Sequence, residues 1–196
     1  MSKKLISYVK ENHKTLYYKF VKSEFLVQTI ANLDVLRYVF CRLRNKPYFG
    51  IYMMAGQTWE ERKSHMKKLV EREIASRDSG KFRLLEVGSW AGNSALIWAE
   101  AIVDSGCKGE IICVDPWAPY VKPEKNMANV APVIMENALK KNKIFGLFLH
   151  NISAAGISGM IIPIRGTSDE VLPLLKDDKF DVAFIDGVHY FSNVIR

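Results

Sequence analysis

The stretch RLLEVGSWAGNSALIWAEAI, from Arg83 to Ile102, constrains this chain more than any other part of it. A short apolar run ends at an acidic residue and a glycine, turns within a few residues, and restarts at once as a helix. That is the opening of a βα unit. Three more short, β-branched runs follow, so the pattern predicts strands at Phe82–Val87, Glu110–Val114, Met160–Ile164 and Phe180–Ile185. Helical periodicity falls between them, at Ser94–Val103, roughly Ala128–Lys141, and Ser168–Lys176. Repeated βα units with right-handed crossovers give an α/β domain, Rossmann-like, with a doubly wound parallel sheet. In such sheets ligands bind at the carboxyl ends of the strands, so the residues just past each strand carry the information.

Ahead of this domain, residues 1–80 read as a basic helical N-terminal region, and 81–196 as the sheet domain. Apolar residues recur at three- and four-residue spacing from Leu5 to Leu43, with an interruption near Asn32-Leu33-Asp34 that predicts two helices. The segment YFGIYMMAGQ is expected as a loop over a pocket. Thr58-Trp59-Glu60-Glu61 reads as a capping box opening a helix that runs to about Ser76, with Met66, Leu69, Val70 and Ile74 on one face.

Charge follows the same division. Residues 1–80 hold 16 Lys/Arg and 8 Asp/Glu, a net +8; residues 81–196 hold 12 and 13, a net −1. The excess is either a solvated helical surface or a contact for something anionic. No nucleic-acid-binding signature accompanies it, so no nucleic-acid partner is expected. No apolar run reaches the roughly 18–20 residues a membrane span requires, and the N-terminus has no apolar signal region. Three cysteines without CxxC spacing favour a reduced, cytoplasmic setting over a disulfide framework or zinc site. Nothing in the sequence sets an oligomeric state, and a homo-oligomer is compatible with it.

The first turn discriminates among cofactors. A dinucleotide site wants G-x-G-x-x-G, yet counting from Gly88 the second glycine position is Trp90 and the third is Asn93. Trp90 would crowd a pyrophosphate, and Glu86 would repel it, which argues against NAD and FAD and against an NAD-dependent oxidoreductase. A cofactor with a cationic end suits Glu86. S-adenosylmethionine carries a sulfonium and an ammonium, has no phosphate, and ends in a carboxylate that a helix N-terminus can hold. The second strand ends at Asp115, 23 residues beyond Gly92, placed to accept the hydroxyls of an adenosine ribose. The third leads into Gly166-Thr167-Ser168, the fourth into Asp186 and His189. Each also has a plainer reading: a tight turn at Gly88–Gly92, a turn aspartate before Pro116, an N-cap at Thr167, a structural hydrogen bond at His189. Four strands delivering suitable groups to one rim make the ligand reading the stronger.

LLEVGSWAGNSAL, IICVDPW, IRGTSDEVLPLL and FDVAFIDGVHYF, taken together over roughly Lys81 to Asn193, resemble class I S-adenosylmethionine-dependent methyltransferases. The subgroup most similar is the small-molecule and sugar O-methyltransferases with an Asp-Gly-x-His motif. The resemblance implies that Glu86, Gly88, Ser89, Trp90 and Gly92 hold the methionine part of the cofactor. It implies further that Asp115 takes the ribose hydroxyls, that Trp117 packs near the adenine, and that Thr167 and Ser168 line its edge. Asp186 would sit beside the reacting centre, where related enzymes often bind a divalent metal such as magnesium, and His189 would serve as general base. The acceptor would be a hydroxyl of a small molecule or sugar. Two departures accompany the resemblance. Phe191 stands where the subgroup usually has tyrosine. The family's sheet has seven strands, and only its first four are matched before Arg196. The chain therefore reads as C-terminally truncated, with a non-catalytic cofactor-binding fragment as the alternative.

Overall fold

The computed structural model describes residues 24–56, 60–77, 80–119 and 130–187. Four strands form one parallel sheet: β1 (Phe82–Val87), β2 (Gly109–Asp115), β3 (Ile161–Arg165) and β4 (Val182–Ile185), in the order β3-β2-β1-β4. The helices are α1 (Glu24–Leu43), α2 (Glu60–Ala75), α3 (Asn93–Asp104), α4 (Val130–Lys140), α5 (Lys143–Ala154) and the short α6 (Ser168–Val171). The α/β, Rossmann-like class expected from the strand–helix alternation is the observed one. The chain steps outward from β1 to β3, then returns to place β4 on the other side of β1. The strand order therefore reverses between β1 and β4, and the crevice of a doubly wound sheet opens there.

Period-two alternation divides each strand between two cores. Phe82 and Leu84 of β1, with Ile111 and Cys113 of β2, join the larger cluster beneath α2, α3, α4 and α5. Leu85, Val87, Ile112 and Val114 face the smaller one, capped by Val171 and flanked by Leu172, Leu175 and Phe180. Each large apolar side chain fully buried here contributes about 1.5–3 kcal/mol relative to exposure. Tyr48, Met53, Met66 and Val70 belong to the larger cluster, so the helical N-terminal residues share a core with the sheet. Glu86 lies on that same face, one pleat beyond Leu84.

Several local expectations require correction. α1 runs unbroken through Asn32-Leu33-Asp34. The Asp34 carboxylate does not stop the helix, because it accepts hydrogen bonds from the Tyr48 hydroxyl, Ile51 N (2.7 Å) and Tyr52 N (3.2 Å). Past α4 the chain forms a second helix, α5, with Ile144, Leu147, Phe148 and Ile152 buried. The segment expected as helix from Ser168 to Lys176 is one α-turn followed by a 3-10 turn at Leu172–Leu175, where Pro173 interrupts it. β4 is shorter than expected, at Val182–Ile185. The Thr58 end of the expected capping box lies outside the described residues, as do residues 1–23 of the expected N-terminal helices, His189 and Phe191. No helix among the described residues is long and apolar enough to cross a membrane.

Candidate functional site

β1 ends at Val87, and the chain reverses through Gly88 to Gly92 before α3 begins at Asn93. Gly88 adopts φ 93°, and a Cβ there would strike the Asp186 carbonyl and lie 2.8 Å from Gly187 N. Only glycine permits both the angle and the approach. This contact brings the ends of β1 and β4 together at the reversal point. Gly92 takes φ 81° and serves as N-cap without a side-chain bond to the helix, so the first amides of α3 face the turn.

Glu86 is completely buried at this turn. Burial lifts its carboxyl from 4.5 to about 7; the neighbouring Ser94, Ser89 and Cys113 side chains oppose that shift, and the charge of Asp186 adds to it. The Cys113 thiol donates to Oε2 at 3.5 Å. The Ser89 and Ser94 hydroxyls lie near enough to favour the charged carboxyl, yet neither bonds Oε1 with good geometry. Buried carboxyls are almost always fully paired, and one held this loosely at a strand end is suited to a ligand.

Asp115 ends β2 and is 5% exposed. Its Oδ2 accepts from Trp90 N (3.0 Å) and its Oδ1 from Trp117 N (2.7 Å). Burial raises its carboxyl, and these backbone donors pull it back. Trp90 links three segments: its amide reaches Asp115, its carbonyl accepts from the Trp117 indole (2.7 Å), and its own indole donates to the Met54 carbonyl (2.9 Å). The expected loop at Tyr48–Gly56 therefore lies against this turn. Trp117 itself has no exposed surface; its ring packs on Phe145 and Phe148, each 4.7 Å between centroids. Thr167 and Ser168 follow β3, and Gly166 N bonds the Asp115 carbonyl at 3.2 Å, which places them beside the β2 end. The Thr167 hydroxyl is engaged in a capping box with Glu170, the plainer of its two readings.

At the end of β4 the Asp186 carboxylate pairs with the guanidinium of Arg62, which also lies over the Phe184 ring at 5.1 Å. Glu86, Gly88, Ser89, Trp90, Gly92, Asp115 and Asp186 thus share one rim, with Thr167 and Ser168 at its far side.

A family model described as a methyltransferase domain matches residues 85–196. The chain belongs to the methyltransferase domain family. The resemblance to class I S-adenosylmethionine-dependent methyltransferases is borne out, and its Rossmann-like sheet is in place. Among solved structures, the SAH-bound methyltransferase PaMTH1 of Podospora anserina is similar, with a TM-score of 0.41 and 19% identity over 67% of this chain. The chain spans 42% of that protein's length. No curated protein matches the sequence.

In this methyltransferase-domain chain Asp186 has a basic partner that the sequence did not suggest. The carboxylate read as a magnesium ligand is engaged by Arg62, and among the described residues no three His, Cys, Asp or Glu side chains gather where a metal ion could sit. Two further residues escaped the sequence reading. Arg62 lies 124 positions from its partner and carries no local signal. Asn151, fully buried on α5, brackets Tyr48 by accepting from its amide (2.8 Å) and donating to its carbonyl (3.0 Å), and also donates to the Ala91 carbonyl (2.9 Å). Its signal was present: a polar residue on an otherwise apolar helical stripe.

Proposed function

We propose that this chain binds S-adenosylmethionine in the crevice between β1 and β4 and directs its methyl group to a hydroxyl of a small molecule or sugar. The observation that carries the reading is the completely buried Glu86 carboxyl at the end of β1, whose Oε1 receives no hydrogen bond of good geometry. A cation with hydrogen-bond donors, such as the ammonium of a methionine moiety, satisfies both the carboxylate and the local charge. An anionic dinucleotide phosphate satisfies neither.

The residues then divide the work. Glu86 and the turn from Gly88 to Gly92 hold the amino-acid end, with the uncapped amides of α3 facing its carboxylate. Asp115, already fixed by the backbone donors of Ser89, Trp90 and Trp117, retains lone pairs for ribose hydroxyls. Thr167 and Ser168 border the adenine side. Trp117 supports the rim from within the core. When bound, the cofactor supplies an electrophilic methyl group; its transfer to oxygen leaves the S–C electron pair on sulfur as a neutral thioether. Asp186 faces the acceptor and orients its hydroxyl, and His189 takes the proton released from that hydroxyl. Alignment of donor and acceptor accounts for most of the acceleration in such a site. All three cysteines are free thiols, which supports a cytoplasmic location.

The test is calorimetric titration with S-adenosylmethionine and NAD, followed by mass-resolved methyl transfer to a panel of sugar and phenolic acceptors. Binding of S-adenosylmethionine that weakens by about 1–3 kcal/mol in Asp115→Ala supports the reading. Binding of NAD in its place would overturn it.

A further inference from the structure

Arg62 belongs to the first turn of α2, outside the span that the family model matches, yet its guanidinium reaches the mouth of the β1–β4 crevice. α2 is anchored from below by Met66 and Val70, both buried in the main core. From above, Arg62 lies over the Phe184 ring and is paired with Asp186. Both side chains of the pair remain partly exposed, at 22% and 30%. Asp186 is also close to the other acidic group of the site. Its carbonyl occupies the space a Cβ on Gly88 would need, and its charge bears on Glu86.

Two carboxylates in one crevice raise a problem for a reaction that consumes a cation. A carboxylate facing the sulfonium stabilises the bound reactant, but the positive charge disappears as the methyl group leaves. Such an interaction deepens the ground state more than the transition state and slows the step. Glu86 faces the ammonium end, whose charge survives transfer. Asp186 follows the neighbouring strand β4, and it is Asp186 that has a guanidinium partner.

We propose that Arg62 is a positioning and selectivity-determining residue: by pairing with Asp186 it offsets the carboxylate charge at the reacting side of the crevice, and so limits the preference for the cationic cofactor over its neutral thioether product. The proposal rests on the reading of this crevice as an S-adenosylmethionine site. The two probes, S-adenosylmethionine and S-adenosylhomocysteine, differ by one positive charge, so the ratio of their dissociation constants reads the field at the sulfur. A lone charge acting across a partly wet crevice changes such a ratio by a factor of about 3–30.

The experiment is calorimetric titration of both probes into the wild type, Arg62→Met, Arg62→Lys and Asp186→Asn, with thermal melts confirming that each variant folds. Arg62→Met unmasks Asp186 and should shift the ratio toward S-adenosylmethionine by that factor. Arg62→Lys, which keeps the charge, should restore the wild-type ratio. Asp186→Asn removes the carboxylate charge and keeps the guanidinium, and should shift the ratio the other way, which keeps the test decisive if Arg62→Met does not fold. A ratio unchanged in Arg62→Met and Asp186→Asn, or both probes weakened equally, overturns the proposal and makes the pair a purely structural tie. A wild type that binds neither probe overturns the cofactor reading first, and this proposal with it.

Discussion

Replacing Glu86 by glutamine should remove a proton linkage specific to this site. Burial holds the Glu86 carboxyl at about 7, so at pH 6 roughly nine in ten unliganded molecules carry it protonated. A cationic ligand favours the ionised form, and its binding expels that proton. From this group alone, affinity for S-adenosylmethionine should fall about tenfold between pH 8 and pH 6. Calorimetry at pH 6 in two buffers of different ionisation enthalpy counts the proton directly. The wild type should release about 0.9 more protons per ligand than Glu86→Gln. The ligand's own amino group titrates nearby but equally in both proteins, so the difference isolates Glu86. Equal proton release from the two would refute the reasoning. The same group sets a slope in the stability of the unliganded chain. Its folded pKa lies above its unfolded 4.5, so between about 4.5 and 7 the folded state holds the extra proton. Stability therefore falls as pH rises through that window, by on the order of 3 kcal/mol, and urea titrations of Glu86→Gln should lack that fall.

Asn151→Leu strips partners from Tyr48 N, Tyr48 O and Ala91 O, and should cost about 2–5 kcal/mol in urea unfolding; a loss below about 1 kcal/mol would mean that water re-satisfies them. Gly88→Ala forces a Cβ against the Asp186 carbonyl at φ 93°, and should both lower the melting temperature and abolish cofactor binding in a titration. Gly146→Ala provides the opposite case within α5, where a Cβ meets nothing within 4 Å, and should stabilise the chain by about 0.5–1 kcal/mol in the same unfolding assay.

The sheet was legible because its signals are local. The β1 bounds follow from an apolar run that stops at Gly88, and the parallel arrangement follows from helices between strands. α5 was missed although Ile144, Leu147, Phe148 and Ile152 have helical spacing, because it follows α4 with only Lys141 and Asn142 between them. The break expected at Asn32–Asp34 failed for a tertiary reason. Asp34 is satisfied by groups 14 to 18 residues away, so it does not compete with its own helix. Much the same holds at the site. Glu86, Gly88 and Asp115 announce themselves by their place after strands, whereas the pairing of Arg62 with Asp186 spans 124 residues and has no periodic or motif signature.

The bracket around Tyr48 has a consequence for biosynthesis. Asn151 lies 103 residues after the backbone it holds. At about 5–20 residues per second, the ribosome exposes Tyr48 for roughly 5–20 s before its partner is even made. During that interval Tyr48, Met53, Met66 and Val70, all destined for the shared core, have no sheet to dock on. The N-terminal helices are therefore made first but completed late, and the nascent chain is most vulnerable to holdase capture, or to aggregation, before α5 emerges.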